Sequence, residues 1–491
     1  MDRREFIKTI SASALICTLP SFSWAEGKGS QSPNILFMLT DDQGYNDLSC
    51  YGSKNIKTPN LDKLAAQGMR FTDFYSASPL CSPSRAGLMT GRTPSRCGIY
   101  TFLPADGDKN AAESPMHLPG TEITISQLLK KKGYSTCHLG KWHLSHLKIE
   151  GWKGPHPDQP QPKDFGFDYS FGTTNNALKD HKDPGNFVRN GKKVGNLQGY
   201  SSQIVVDEGI KWLNGRNDKS NPFFMYLCFH EPHEIVAAPQ EMVDRHEGNN
   251  DKVKTYFACI ENMDDAAGRL LKHLDESGLA ENTIVLFYSD NGSRSSMSKA
   301  ANTNSPLRGM KADIWDGGIR VPGIMRWPGK IKPGSECSEP VGAIDMLPTF
   351  CDITGATVPN DRKLDGTSIT PLFEGKNITR KNPLFWHLYG STPAAAMRDG
   401  DWKIVGYSTK PGQRLEPCFN EEAMKFIKQA KLVNFELYNI RTDIAETKDV
   451  SAGNPAIFEK MKKSLLDRFT EVVAEGPTWT WDGTKPARGK K

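Results

Sequence analysis

Apolar positions along the chain gather into four dense, β-rich runs, each ending in a polar cluster. Residues 35–39 lead into Thr40-Asp41-Asp42, 135–139 into Gly140-Lys141-Trp142-His143, 223–229 into His230-Glu231-Pro232-His233, and 283–288 into Ser289-Asp290-Asn291-Gly292. Runs this short and continuous predict strands buried on both faces, as in a parallel sheet. Helical patterns occupy 59–67, 123–132, 202–213 and 252–274. Alternating strand and helix predicts an α/β fold with a doubly wound, mostly parallel sheet. Ligands of such sheets sit beyond the carboxyl ends of the strands. All four runs deliver carboxylate, amide, Lys or His side chains at that end, and four such clusters on one edge predict an active site.

The pattern changes after about Gly375. Short strand-like runs at 385–389, 395–398, 402–406 and 435–439 are separated by tight turns such as Asp399-Gly400, and 455–474 reads as an amphipathic helix. A chain of 491 residues exceeds what one compact core usually holds. The expectation is a large domain over 26–375 and a smaller antiparallel sheet plus helix over 376–491. The tail from 476 to 491 has little to bury and is expected to be loosely ordered.

The first 25 residues form a separate class. Arg3-Arg4, an apolar stretch at 10–19 and Ser23-Trp24-Ala25 have the order of a twin-arginine export leader. The stretch is too short to span a bilayer, which takes ~20 residues. Ile16 before Cys17 argues against a lipid anchor. A periplasmic or secreted protein delivered by the twin-arginine machinery is expected, with no membrane span after leader removal. The net charge of +5 is diffuse, which speaks against a nucleic-acid partner. Ten cysteines show no paired CxxC spacing, so neither a zinc ribbon nor a redox motif is indicated.

The segment Cys81-Ser82-Pro83-Ser84-Arg85-Ala86-Gly87-Leu88-Met89-Thr90-Gly91-Arg92 carries the most specific chemistry. Pro83 suits a helix start and Gly91 a helix stop, which places Cys81 at a helix N-terminus where anions are favoured. The residues alone leave a reactive thiol and a plain buried one both open. Asp41, Asp42 and Asp290 offer hard anionic oxygens and Asn291 a neutral one, a set that suits Ca²⁺ or Mg²⁺ rather than zinc.

Cys-x-Pro-Ser-Arg followed by Ala-x-x-x-Thr-Gly-Arg resembles the signature of type I, formylglycine-dependent sulfatases of the alkaline phosphatase superfamily. The likeness extends through Asn34-Ile35-Leu36, Gly140-Lys141-Trp142-His143, Ser289-Asp290-Asn291-Gly292, Leu307-Arg308-Gly309-x-Lys311 and Gly317-Gly318-Ile319-Arg320-Val321-Pro322. The pattern is most similar to the arylsulfatase A and N-acetylgalactosamine-6-sulfatase group.

The resemblance implies that a maturation enzyme oxidises Cys81 to formylglycine. It implies that Ca²⁺ is held by Asp41, Asp42, Asp290, Asn291 and residue 81. Arg85, Lys141 and Lys311 would balance the sulfate, His233 would protonate the leaving oxygen, and His143 would take a proton as sulfate leaves. A sulfated glycan is the implied substrate, with a formylglycine-dependent phosphonate or phosphodiester hydrolase as the alternative. His230, three residues before the implied acid, is a candidate substrate contact. So are Asp180, His181 and Arg189 within an insert spanning 175–191; Trp386 and His387 of the smaller domain are lesser candidates.

Overall fold

The computed structural model describes residues 32–105, 114–150, 158–390, 392–408, 419–480 and 488–490. The expected leader, with Cys17, and Cys418 lie outside the described residues. Pro33–Lys491 form one compact unit.

Among the described residues, eleven strands make the large sheet. They are β1 (Asn34–Thr40), β2 (Met69–Tyr75), β3 (Ser135–Lys141), β4 (Tyr169–Thr173), β5 (Val188–Arg189), β6 (Lys192–Lys193), β7 (Phe223–Cys228), β8 (Thr283–Ser289), β9 (Arg320–Arg326), β10 (Ser335–Cys337) and β11 (Val341–Gly342). The main path runs β10-β2-β9-β8-β1-β7-β3-β4-β5-β6. The four strands expected from the hydrophobic runs lie side by side at its centre. β1 pairs in parallel with β8 and β7, and β7 with β3, so all four polar clusters leave the sheet at one edge. β9 runs antiparallel to β8 and β2, making the sheet mixed.

Alternation along β1 shows why the strand is apolar throughout. Ile35, Phe37 and Leu39 enter one core layer and Leu36 and Met38 the other, because successive side chains of a strand point to opposite faces. Helices α1 (Pro59–Ala66), α2 (Cys81–Thr90), α3 (Ile125–Lys131), α4 (Ser201–Gly215), α5 (Asp251–Glu276) and α6 (Met346–Thr354) flank the sheet. Thr124 and Gln127 close a reciprocal capping box on α3, and the Asn250 side chain accepts from Val253 N at the start of α5. Each satisfies an otherwise unpaired N–H of a first helical turn.

The smaller sheet is antiparallel, in the order β12 (Leu384–Leu388), β13 (Ala394–Asp399), β14 (Trp402–Tyr407), β15 (Asn434–Asn439). One face, with Phe385, Ala395, Met397, Ile404 and Leu437, packs on Met461, Leu465, Phe469 and Val472 of α7 (Pro455–Glu475). The other, with Leu384, Trp386, Ala396 and Val405, joins a core layer of the large sheet. The expectation of a loosely ordered tail fails in part. Trp479 is buried and donates its indole N–H to the Gly98 carbonyl at 2.8 Å, and Thr478–Thr480 pairs with Arg488–Lys490. A single tryptophan gives this segment something to bury. No helix among the described residues is long and apolar enough to cross a membrane.

Candidate active site

The site is built at the carboxyl edge of β1, β3, β7 and β8. Backbone bonds extend the ladders past the strand ends: Asp41 N donates to Glu231 O at 3.0 Å and Asp290 N to Thr40 O at 3.0 Å. Two motif glycines are forced by crowding. A Cβ on Gly140 would lie 1.8 Å from the Cys228 carbonyl oxygen, and one on Gly292 1.8 Å from the Gly317 carbonyl oxygen. Only glycine lets these backbones approach so closely.

Cys81 is the first residue of α2, a helix whose ten residues are all buried. Its thiol donates to Asp41 Oδ1 at 3.3 Å and approaches Asp42 Oδ1 at 3.8 Å. Burial, then the Asp290 and Asp41 carboxylates, push the thiol well above its ordinary range. Left as a cysteine, it would be a poor nucleophile, since the thiolate is the reactive form.

Three cations stand around the carboxylates. Lys141 Nζ lies 2.5 Å from Asp41 Oδ2, Lys311 Nζ 2.7 Å from Asp42 Oδ2, and Arg85 places Nη2 2.8 Å and Nε 3.1 Å from Asp290 Oδ2. Arg85 Nη1 also donates to the Lys141 carbonyl at 2.9 Å, so one guanidinium joins α2 to the ends of β3 and β8. Burial acts to raise the Asp41 carboxyl, but Lys141, His233, Arg85 and Lys311 outweigh it and hold it well below the ordinary range. Burial and the Asp41 charge push Asp290 up to about 7, against the pull of Arg85.

The residues fit a hard cation in their chemistry. Ligand atoms of Asp41, Asp42, Cys81 and His233 lie within 4.8 Å of one another. Asp290 Oδ1 faces the Asp42 amide at 3.3 Å, and Asn291 Nδ2 donates to Asp42 Oδ1 at 2.7 Å. Asn291 Oδ1 is buried with no hydrogen-bond partner. A half-turn of that amide, whose O and N positions are interchangeable, presents the free oxygen where Nδ2 now stands, beside Asp42.

The two histidines differ in which nitrogen is free. His143 Nε2 lies 2.8 Å from the Leu103 carbonyl oxygen, while Nδ1 is buried without a partner. The carbonyl fixes the proton on Nε2 and leaves Nδ1 as a proton acceptor. Burial, then Lys141, hold His143 well below its ordinary value, so it is neutral. His233 Nδ1 lies 2.5 Å from the Glu234 carbonyl oxygen, which leaves Nε2 facing Asp42 Oδ2 at 3.6 Å. Burial and Lys311 pull His233 down to about 4.

The expected substrate contacts are not gathered here. His230 is wholly buried, with Nε2 2.8 Å from the Thr173 hydroxyl and its ring edge-on to Phe187. His181 is buried between Glu231 and Cys259. Arg189 donates to both Glu208 oxygens at 2.8 and 2.7 Å, and Asp180 Oδ1 accepts from Lys182 N. Trp386 donates to the Ser76 carbonyl, and His387 meets Ser95 Oγ at 3.0 Å. Asn176 was not singled out in the sequence, yet its amide lies 2.9 Å from His233 Nδ1 and 3.4 Å from Lys141 Nζ. Its signals are its place just beyond β4 and inside the expected 175–191 insert, where Asp180, His181 and Arg189 are the expected contacts instead.

Comparison with known proteins agrees with this geometry. The sulfatase family model matches residues 33–356, and a model described as N-sulphoglucosamine sulphohydrolase, C-terminal, matches 311–474. N-acetylgalactosamine-6-sulfatase of Rattus norvegicus is 34% identical over 379 residues, covering 73% of this chain and 68% of its own. Steryl-sulfatase of Homo sapiens is 30% identical over 567 residues, covering 94% and 92%. Among solved structures, Ps i-CgsB in complex with k-i-k-neocarrahexaose aligns with a TM-score of 0.74 at 31% identity, covering 91% of this chain and 94% of that one.

Proposed function

The chain belongs to the sulfatase family of sulfuric ester hydrolases, and from that premise we propose that it removes sulfate from a sulfated carbohydrate, with Cys81 as the precursor of a formylglycine nucleophile and Ca²⁺ as its metal. The observation that carries this reading is the setting of Cys81: first residue of a buried helix, 3.3 Å from Asp41 Oδ1, inside a ring of three carboxylates and three cations. A thiol pushed up so far is badly suited to attack, and a carbonyl at the same position escapes that limit. Oxidised to the aldehyde and hydrated, residue 81 supplies one hydroxyl to attack sulfur and a second through which sulfate can be released without water attacking sulfur. Carbohydrate as the alcohol part is supported by relatives whose printed names include N-acetylgalactosamine-6-sulfatase and a neocarrahexaose complex.

Asp41, Asp42, Asp290 and Asn291 would hold the cation, all through oxygen, as Ca²⁺ prefers. The cation supplies positive charge that polarises a sulfate oxygen. Lys141, on the Asp41 oxygen that Cys81 does not touch, and Lys311, 2.6 and 2.7 Å from the two Asp42 oxygens, add positive charge toward the sulfate and the departing oxygen. His233 is neutral in the resting site with Nε2 bare, so it first takes up a proton there from solvent, which the negative charge of the bound sulfate ester favours, and then donates it to the leaving oxygen. His143 accepts a proton at Nδ1 as sulfate departs, with Leu103 holding the tautomer. The leader at 1–25 supports export by the twin-arginine route, and the Cys81 motif supports a formylglycine-generating maturation enzyme as partner.

The test is sulfate release from a panel of sulfated mono- and disaccharides, run beside 4-nitrophenyl sulfate and an aryl phosphodiester. Faster turnover of the phosphodiester than of every sulfate ester would overturn the assignment.

A further inference from the structure

We propose that the pocket beside His233 binds the sugar next to the sulfated one and makes the enzyme prefer oligosaccharides to single sugars. The proposal rests on the reading of His233 as the group facing the leaving oxygen. The pocket has a volume of about 330 Å³ and is lined by Glu234, Ile235, Val236, Lys252, Thr255 and Met297, together with Asp251. That volume lies at the lower end for small-molecule sites.

Both walls continue segments of the active site. Glu234, Ile235 and Val236 follow His233 directly, and Met297 lies six residues after Asn291. The two walls are tied together across the rim. Arg294 Nη1 lies 3.0 Å from Glu234 Oε2, and the Ser296 hydroxyl donates to Glu234 Oε1. The first turn of α5 forms the floor. The pocket thus begins one residue past the group read as protonating the leaving oxygen, and we place in it whatever is attached to the expelled alcohol.

The lining suits a sugar ring. Ile235 is 69% exposed, although a large aliphatic side chain gains by burial. With Val236 and Met297 it offers an apolar surface for the C–H face of a pyranose, while Lys252 offers hydrogen-bond donors for hydroxyl or acidic substituents and the Thr255 hydroxyl, which donates to the Asp251 carbonyl at 2.7 Å, offers an acceptor. Glu234 is spent on Arg294 and Ser296, so its charge does not stand free against an acidic glycan. A sulfated monosaccharide would leave this surface uncovered.

The test compares N-acetylgalactosamine 6-sulfate, a disaccharide carrying that sugar, and 4-nitrophenyl sulfate, with the unaltered enzyme and Ile235→Ser. Saturation-transfer NMR on the same two sugars reads binding independently of turnover. The unaltered enzyme should favour the disaccharide, in affinity or kcat/KM, by about tenfold, which corresponds to ~1.4 kcal/mol. Ile235→Ser should erase that preference, mainly through KM, and leave 4-nitrophenyl sulfate hydrolysis within about twofold of the parent. Equal handling of the two sugars by the unaltered enzyme overturns the proposal. So does a variant that keeps the preference, or one that loses activity equally on all three substrates. Loss of the disaccharide preference in binding, with no sulfate released from any ester, would instead overturn the catalytic reading and leave the pocket standing.

Discussion

Replacing Lys403 by Met tests whether the smaller sheet supports the catalytic loop. Lys403 Nζ lies 2.7 Å from Asp316 Oδ1 and 2.7 Å from Glu446 Oε1, and all three side chains are fully buried. Asp316 has further support, from the Tyr75 hydroxyl at 2.8 Å and Arg320 at 3.5 Å. Glu446 Oε1 meets the ammonium alone, while Oε2 accepts from Asp316 N at 2.7 Å. Removing one partner from a buried ion pair costs about 3–5 kcal/mol. Unfolding entropy near ~2.1 cal/mol/K per residue gives a unit of roughly 460 residues about 1 kcal/mol/K, so Tm should fall by about 3–5 °C.

The loss should also depend on pH. Burial pushes the Glu446 carboxyl up to about 7, with Lys403 pulling the other way. Stability tied to its neutral form is complete below the ordinary 4.5 and is lost as pH rises through about 7. Without Lys403 the folded value climbs further, so variant and parent should differ more at pH 8 than at pH 6. Calorimetry at both values, with Lys403→Met/Glu446→Leu closing a double-mutant cycle, reads the coupling. Activity should fall as well, because Arg308 Nη1 donates to Glu446 O at 2.7 Å and Gly317 N to Arg308 O at 2.7 Å, fixing the loop that carries Lys311. A Tm shift below about 1 °C at pH 8, or a double variant that loses the plain sum of the two single losses, would refute this reasoning.

Peptide mass spectrometry of active enzyme should find formylglycine at position 81, and Cys81→Ala should abolish turnover while its melting curve stays cooperative; fully active protein carrying only the thiol would contradict the assignment. Exhaustive chelation should inactivate the enzyme, and Ca²⁺ should restore it better than Zn²⁺, with Asp290→Ala the most damaging of the ligand changes; full activity in protein shown to be metal-free would exclude the metal's role. His233→Ala should cost at least about 100-fold more on a sugar sulfate than on 4-nitrophenyl sulfate, since a nitrophenolate leaves without a proton. His230→Ala, which removes the Thr173 contact behind the site, should show no such dependence on leaving-group pKa, and the opposite pattern would move the acid to His230.

The centre of the sheet was legible because β1, β7 and β8 are apolar on both faces, and because each run stops at a polar cluster. β4 and β9 escaped notice. Tyr169–Thr173 is only partly buried, and Arg320–Arg326 carries an arginine at each end, tied to Asp73 and to Gln67. Periodicity cannot reveal a strand whose polar residues are satisfied by distant partners. The same limit explains the substrate contacts. His181 and His230 looked available because the sequence shows residue types and strand ends, whereas Phe187, Thr173 and Cys259, which enclose them, come from separate segments. Asn176 was hidden for the converse reason, as an ordinary loop asparagine given meaning only by the histidine beside it.

The burial of α2 also orders events in the life of the chain. Cys81 is 2% exposed, and every residue of its helix is walled in. A maturation enzyme of the kind proposed could not reach this side chain in the finished fold. The oxidation proposed for Cys81 would therefore have to precede folding, and the two would compete for the newly made chain. A variant that folds faster should emerge with a larger unmodified fraction, and slower synthesis or scarcer maturation enzyme should change that fraction in opposite directions. The specific activity of a preparation then records the history of its biosynthesis as much as the quality of its active site.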